Sequence, residues 1–140
     1  MSKKPSKKTL KKHAWTAFAK YIKLKHSVNS MCKCVTCGYV ARYDDPSMQA
    51  GHFVPGRTNS VLFDEDIVRP QCSVCNVING GEYGRYFLYY KREELKTDED
   101  LEEFLNRKFK IVKYSEQDLK DIRLKYEKLF LNLLAERCLC

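Results

Sequence analysis

Four cysteines carry the clearest chemistry in this chain. They stand as two pairs, Cys34-Val-Thr-Cys37 and Cys72-Ser-Val-Cys75. A Cys-x-x-Cys knuckle turns two thiolates toward one ion. Two knuckles complete the tetrahedral sulfur set that suits zinc, with Zn–S bonds of about 2.3 Å. Cys32 would make a poorer knuckle with Cys37, and Cys138 and Cys140 fall at the chain end, where they read as bystanders. A site closed by four protein ligands is structural rather than catalytic. Thirty-four residues separate Cys37 from Cys72. That exceeds a minimal zinc ribbon, so the intervening loop carries something of its own.

The loop contains Ala50-Gly51-His52-Phe53, and Asn76 follows directly on the second pair. His52 is open to three readings: a structural imidazole, a zinc ligand, or an acid–base group. The last is chemically apt because an ordinary histidine pKa near ~6.5 suits proton transfer close to neutral pH. His13 and His26 lie in or beside a lysine-rich stretch and read as solvated. Arg57, Arg69 and Arg85 flank these segments. Guanidinium groups there would clamp phosphates bidentately or serve as plain surface charge.

The order Cys-x-x-Cys, Gly-His, Cys-x-x-Cys-Asn resembles that of the zinc-stapled HNH endonucleases. Ala50-Gly51-His52-Phe53 and Arg69-Pro70-Gln71-Cys72-x-x-Cys75-Asn76, with Gly81 and Tyr83 beyond, resemble more closely the phage NinG (Rap) recombination proteins. The resemblance covers roughly residues 31–90. It implies an α+β fold with a small treble-clef ββα-metal core around the structural zinc. It also implies a DNA endonuclease acting on branched or recombination-intermediate DNA. His52 would be the general base, and Asn76 would hold a catalytic Mg²⁺ or Mn²⁺ through its side-chain oxygen.

Two positions depart from that pattern. Gly51 stands where many HNH enzymes carry a metal-binding Asp, and Ile67 stands where a bracing Asn is usual. A further oxygen donor is then needed, from Asp64, Glu65, Asp66 or Glu82, with Glu82 favoured. Asp66 is the neighbour that could take over the bracing. The run Asp64-Glu65-Asp66 reads equally as a solvated loop. A zinc-dependent DNA-binding protein without catalysis would use the same knuckles and lysines but would need neither His52 nor Asn76. A protein-binding zinc module would need only the knuckles.

Charge supports a polyanionic partner. The 140 residues carry a net charge of +8. Residues 1–26 hold nine lysines and no acid, so the excess sits in an N-terminal arm and first helix. Lys3, Lys4, Lys7, Lys8, Lys11 and Lys12 are therefore the expected DNA contacts, since neutralising phosphates releases counterions. A solubilising tail is the alternative. No run of eighteen apolar residues exists and no export signal is visible, so neither a membrane span nor secretion is expected, and a reducing cytoplasm is the expected site.

The elements that must position these residues follow from periodicity and punctuation. Residues 1–9 read as a disordered basic arm, and 10–140 as one domain with a core at about 31–90 and a helical extension at about 97–137. A helix over 10–27 presents Trp15, Phe18 and Ile22, ending at Asn29 and Ser30. Short strands flank the first knuckle, Asp44–Ser47 is a turn, and Met48–Val54 is a strand. Residues 57–65 are a loop and Ile67–Pro70 leads into Cys72. A helix begins near Cys72, is threatened by Gly80-Gly81, and carries Tyr83, Tyr86, Phe87, Tyr89 and Tyr90 toward Leu95. Those rings would form core or stack on unpaired bases. Thr97-x-x-Asp100 and Ser115-x-x-Asp118 open the last two helices. The final one shows a stripe of Leu119, Ile122, Tyr126, Leu129 and Leu133, for packing on the domain or for a homodimer.

Overall fold

A computed structural model describes residues 3–138. The first helix starts earlier than its apolar stripe suggests. The Ser6 hydroxyl accepts the Thr9 backbone N–H at 3.2 Å, satisfying a donor that the first turn leaves orphaned. Helix α1 then spans Lys7–Lys25. Lys7, Lys8 and Thr9 are thus helical, not part of a disordered arm. The helix buries Ala14, Ala17, Phe18 and Ile22. Asn29 and Ser30 follow at φ 52 and 64, the left-handed turn that redirects the chain.

Strands β1 (Met31–Lys33) and β2 (Val40–Arg42) pair antiparallel with Lys33 opposite Val40, so the first knuckle is their connection. The Asp45 carboxylate accepts the Ser47 N–H at 2.8 Å, closing the turn into β3 (Met48–His52). The following loop contains a short helix, α2 (Asn59–Leu62). Strand β4 (Val68–Cys72) returns antiparallel, with Met48 opposite Cys72 and His52 opposite Val68. A π-type helical turn, Val74–Ile78, carries Cys75 and Asn76. Gly80 and Gly81, at φ 67 and 105, end it. Then come α3 (Tyr83–Glu93), α4 (Asp98–Asn106), a 3-10 turn (Arg107–Phe109) and α5 (Glu116–Cys138). Both expected capping boxes form, at Thr97 with Asp100 and at Ser115 with Asp118.

Strand alternation divides the β3–β4 hairpin into two faces. Ala50 and His52 face α1, where Ala50 and Val68 join Ala17, Phe18 and Ile22 in the core. Gln49 and Gly51 face α3, with Arg69 and Gln71 across the ladder. On that side the Tyr86 hydroxyl donates to the Gly51 carbonyl at 2.8 Å. Tyr86 and Tyr90 are fully buried, so the aromatic run is core at those positions and does not stack on bases. Helix α5 packs along α1, and Tyr126 meets Phe18 edge-on at 4.8 Å. Leu119 and Tyr126 are the buried members of its stripe.

The acidic run is ion-paired, with Asp64 and Glu65 half-buried and Asp66 exposed. Arg107 donates to both Asp64 oxygens, at 3.1 and 2.9 Å, and to Asp66 at 2.8 Å. Glu65 pairs with Lys25 and accepts from the Tyr126 hydroxyl at 3.1 Å. These acids fasten the loop to α1, α5 and the turn after α4. No helix among the described residues is long and apolar enough to cross a membrane.

Candidate metal centre and histidine cleft

The two knuckles converge. The Sγ atoms of Cys34, Cys37, Cys72 and Cys75 all lie within 4.8 Å of one another. A sulfur tetrahedron around zinc has edges of about 3.8 Å, and Cys37 and Cys72 stand 3.6 Å apart. That is far beyond a disulfide bond of about 2.05 Å. The group could hold a metal ion such as zinc. The Val35 N–H donates to the Pro70 carbonyl at 3.1 Å, pinning the first knuckle to β4 beside the second. Gly38, at φ 86, allows the tight turn after Cys37.

Thr36 and Gln71 support this centre from behind. The Thr36 hydroxyl lies 3.3 Å from the Cys34 sulfur and accepts from Gln71 Nε2 at 3.2 Å. Burial opposes the Cys34 thiolate, but hydrogen bonds from Thr36 and backbone N–H groups outweigh it and bring the pKa down to about 6. Burial and the neighbouring sulfurs push Cys75 up to about 12. The site thus favours a thiolate at Cys34 and opposes one at Cys37 and Cys75, an imbalance that a divalent cation would reverse. Cys32 stands outside the group and donates to the Lys23 carbonyl. Cys138 is exposed at the end of α5, and Cys140 lies outside the described residues.

His52 ends β3 and is 7% exposed. Its ring stacks on Trp15 of α1 at 5.0 Å. Nε2 lies 3.1 Å from the Leu62 carbonyl. A carbonyl only accepts, so Nε2 carries the proton and the neutral ring keeps its lone pair on Nδ1. Burial is the largest influence on its pKa, with Arg57 in the same direction; Leu62 and Asp64 oppose, and the result is about 4. The Arg57 guanidinium sits over the Trp15 ring at 4.5 Å. A cleft of about 520 Å³ opens here, lined by Lys8, Lys11, Lys12, Trp15, Arg57 and Leu62, with Thr9. None of its lining residues is acidic.

The other expected site residues lie elsewhere. Asn76 Nδ2 donates to Gln49 Oε1 at 2.8 Å. Gln49 is three residues from His52, about 10 Å along the strand, and on the opposite face. Glu82 precedes α3 at φ 48, with its carboxylate 3.8 Å from Arg85. Strand alternation therefore keeps Asn76 and Glu82 on the α3 side, and the structure does not bring them together with His52. Arg69 is buried and bound by Glu94 at 2.8 and 2.9 Å, so it is no phosphate clamp. Arg85 remains exposed on α3.

The lysines divide as well. Lys8, Lys11 and Lys12 reach the cleft, Lys4 pairs with Glu116 at 3.2 Å, and Lys3 is exposed. His26 is not solvated: burial chiefly, then Arg69 and Lys25, hold its pKa near about 4. His13 is exposed beside Arg123. Sequence reasoning missed Leu62, Thr36 and Gln71 as supporting groups and took Trp15 as plain core. The spacing Lys8, Lys12, Trp15 on one helix face was the available signal.

No curated protein and no solved structure matches this chain. A family model described as Bacteriophage Lambda NinG protein matches residues 2–136, a span that takes in the lysine-rich first helix and most of α5 as well as the knuckles. With nearly its whole length covered, the chain belongs to the NinG family.

Proposed function

We propose that this chain is a zinc-stapled endonuclease that hydrolyses phosphodiesters in branched or recombination-intermediate DNA, with His52 as general base. The observation that carries the reading is the tethered imidazole. Nε2–H is held by the Leu62 carbonyl, which leaves the lone pair on Nδ1, and the ring lies directly behind Trp15 and Leu62, two of the residues that line a cleft with three lysines and Arg57. Membership of the phage NinG family supports it.

The chemistry follows from these groups. The lysines draw in the phosphate. Nδ1 takes a proton from the attacking water as its oxygen bonds to phosphorus, the P–O3′ bond breaks and the leaving 3′-oxygen takes a proton from solvent water, while the Leu62 carbonyl steadies the imidazolium. Arg57, fixed over Trp15, offsets charge developing on the phosphate. Because His52 is almost covered, a phosphate that competes for Arg57 would loosen the Arg57–Trp15 stack and admit water.

Zinc fits the four thiols and would cross-link the two knuckles, supplying folding energy where the strands are only three to five residues long. A catalytic Mg²⁺ or Mn²⁺ does not fit the donors beside His52. Asp64, whose charge His52 feels, is held by Arg107, and Asn76 and Glu82 face α3. That same shortage of oxygen donors favours a second reading, a zinc-dependent DNA-binding protein without catalysis.

The test is cleavage of linear, single-stranded, flapped and four-way DNA with Mg²⁺, Mn²⁺ or no added metal. His52→Ala should lower cleavage by ~10²–10⁴-fold with DNA affinity and zinc content unchanged. Equal rates for His52→Ala and wild type would remove the assignment. Cleavage by neither protein under any condition, with DNA still bound, would favour the second reading.

A further inference from the structure

We infer that DNA is held by a fixed phosphate track crossing the N-terminal half of α1, in which Lys113, from the segment before α5, is a full member. The inference rests on the DNA reading above but not on catalysis. A second hollow of about 400 Å³ lies beside the His52 cleft, lined by Lys7, Lys8, Lys11, Asn59, Lys113 and Tyr114, with Leu119. The two hollows share Lys8 and Lys11, so they adjoin across the helix. Together they present Lys7, Lys8, Lys11, Lys12, Lys113 and Arg57, and no lining residue of either is acidic.

Lys113 is placed there by structure rather than by sequence. The Tyr114 hydroxyl donates to the Asn59 carbonyl at 3.0 Å, and Asn59 Nδ2 donates to the Val112 carbonyl at 3.0 Å. Lys11 donates to Asn59 Oδ1. The segment is thus tied down on both sides of Lys113, against α2 and α1. Of the nearby acids, Glu116 pairs with Lys4, and Asp118, which caps α5 at Ser115, offsets part of the Lys7 charge. Six converging cations repel one another unless a polyanion neutralises them.

The geometry and chemistry suit a sugar–phosphate backbone. Lys7 to Lys12 covers about 7.5 Å of helix axis, about two phosphate steps of 3.4 Å. Lysine ammonium groups act as point charges without base preference. Asn59, the single amide in the track, spends its oxygen on Lys11 and its nitrogen on Val112. The track therefore supplies affinity without sequence preference and leads the strand toward His52.

The test is the salt dependence of DNA binding, read by fluorescence anisotropy on duplex and four-way DNA in the His52→Ala background with zinc-loaded protein. Each lysine lost from the track should flatten the slope of log K against log salt by about 0.9 and weaken binding at 0.1 M salt by about eight-fold. Lys7→Ala with Lys113→Ala should then cost about sixty-fold, and Lys113→Arg should restore its share. Lys128→Ala is the control. It lies nine residues beyond Leu119, about 13.5 Å along α5 and half a turn round, and should change neither quantity. An unchanged slope in the double variant, an equal loss in Lys128→Ala, or tighter binding of RNA than of any DNA would overturn the track. A lost slope with no cleavage by wild type keeps the track and removes the nuclease reading. Cleavage by wild type with unchanged slope in the double variant does the reverse.

Discussion

Replacing Gly51 by alanine tests why this position of β3 carries no side chain. The backbone does not forbid a side chain, since Gly51 is not among the residues at positive φ. The space does. A Cβ at 51 would fall 2.0 Å from Gln71 Oε1 and 3.0 Å from Gln71 Cβ and Cδ. Gln71 is 0% exposed, and its Nε2 donates to the Gly81 carbonyl at 2.8 Å and to Thr36 at 3.2 Å. It cannot swing away without leaving those groups. Overpacking costs about 1–3 kcal/mol, and stranding the buried Gly81 carbonyl costs about 1–3 more. Gly51→Ala should therefore destabilise by about 2–6 kcal/mol, a large share of a typical 5–15 kcal/mol. Urea unfolding of zinc-saturated protein measures it. A Gln71→Ala background removes the Oε1 and Cδ contacts and leaves only the Cβ contact at 3.0 Å, so Gly51→Ala should cost clearly less there, about 1 kcal/mol, and the double-mutant cycle should be strongly non-additive. Additive costs, or a Gly51→Ala penalty below about 0.5 kcal/mol, would refute the reasoning. By the same contact, Gly51→Asp alone should not create a divalent-ion site.

Two further outcomes concern metal and protons. Elemental analysis should find one zinc per chain, and chelation or Cys72→Ser should unfold the hairpin region, read by limited proteolysis and circular dichroism; protein that is folded and zinc-free would exclude the metal. His26 and His52 both hold pKa values near about 4, below the ordinary value near ~6.5. As pH falls the unfolded chain therefore takes up protons that the native one refuses. Stability is full above about pH 6.5 and declines toward pH 4, by roughly 3 kcal/mol for the enclosed His52 and less for the partly exposed His26. An unaltered stability–pH slope in His26→Gln/His52→Gln would contradict this.

Several features were legible in the residues because they rest on local rules. The Cys-x-x-Cys spacings located all four members of the sulfur cluster. Thr97 and Ser115 located two helix starts because a capping side chain acts within one turn. Gly80-Gly81 broke the helix where expected, and the resemblance in the Gly51–Phe53 and Arg69–Asn76 stretches agrees with the family found over residues 2–136. Long-range pairing was not legible. Arg69 looked like a phosphate clamp until Glu94, twenty-five residues on, was found to hold it. Asp64 read as a solvated acid, yet Arg107, forty-three residues on, pairs with it and half-buries it. Charge-to-charge choice between distant segments leaves no periodicity in the sequence.

By itself, then, the sequence determined the sulfur set, the cationic first helix, most of the element order apart from α2, and the family. Only the tertiary structure decided which face of the hairpin each candidate occupies. The side-chain period of a strand is two, so Gly51 and His52, adjacent in sequence, point to opposite sides of the sheet. Packing α1 on one face and α3 on the other then separated His52 from Asn76 and gave it Trp15, Leu62 and a lysine-lined cleft. It also brought Lys113 to Lys7 and Lys11, a neighbourhood fixed by hydrogen bonds through Asn59 and by nothing in their spacing along the chain.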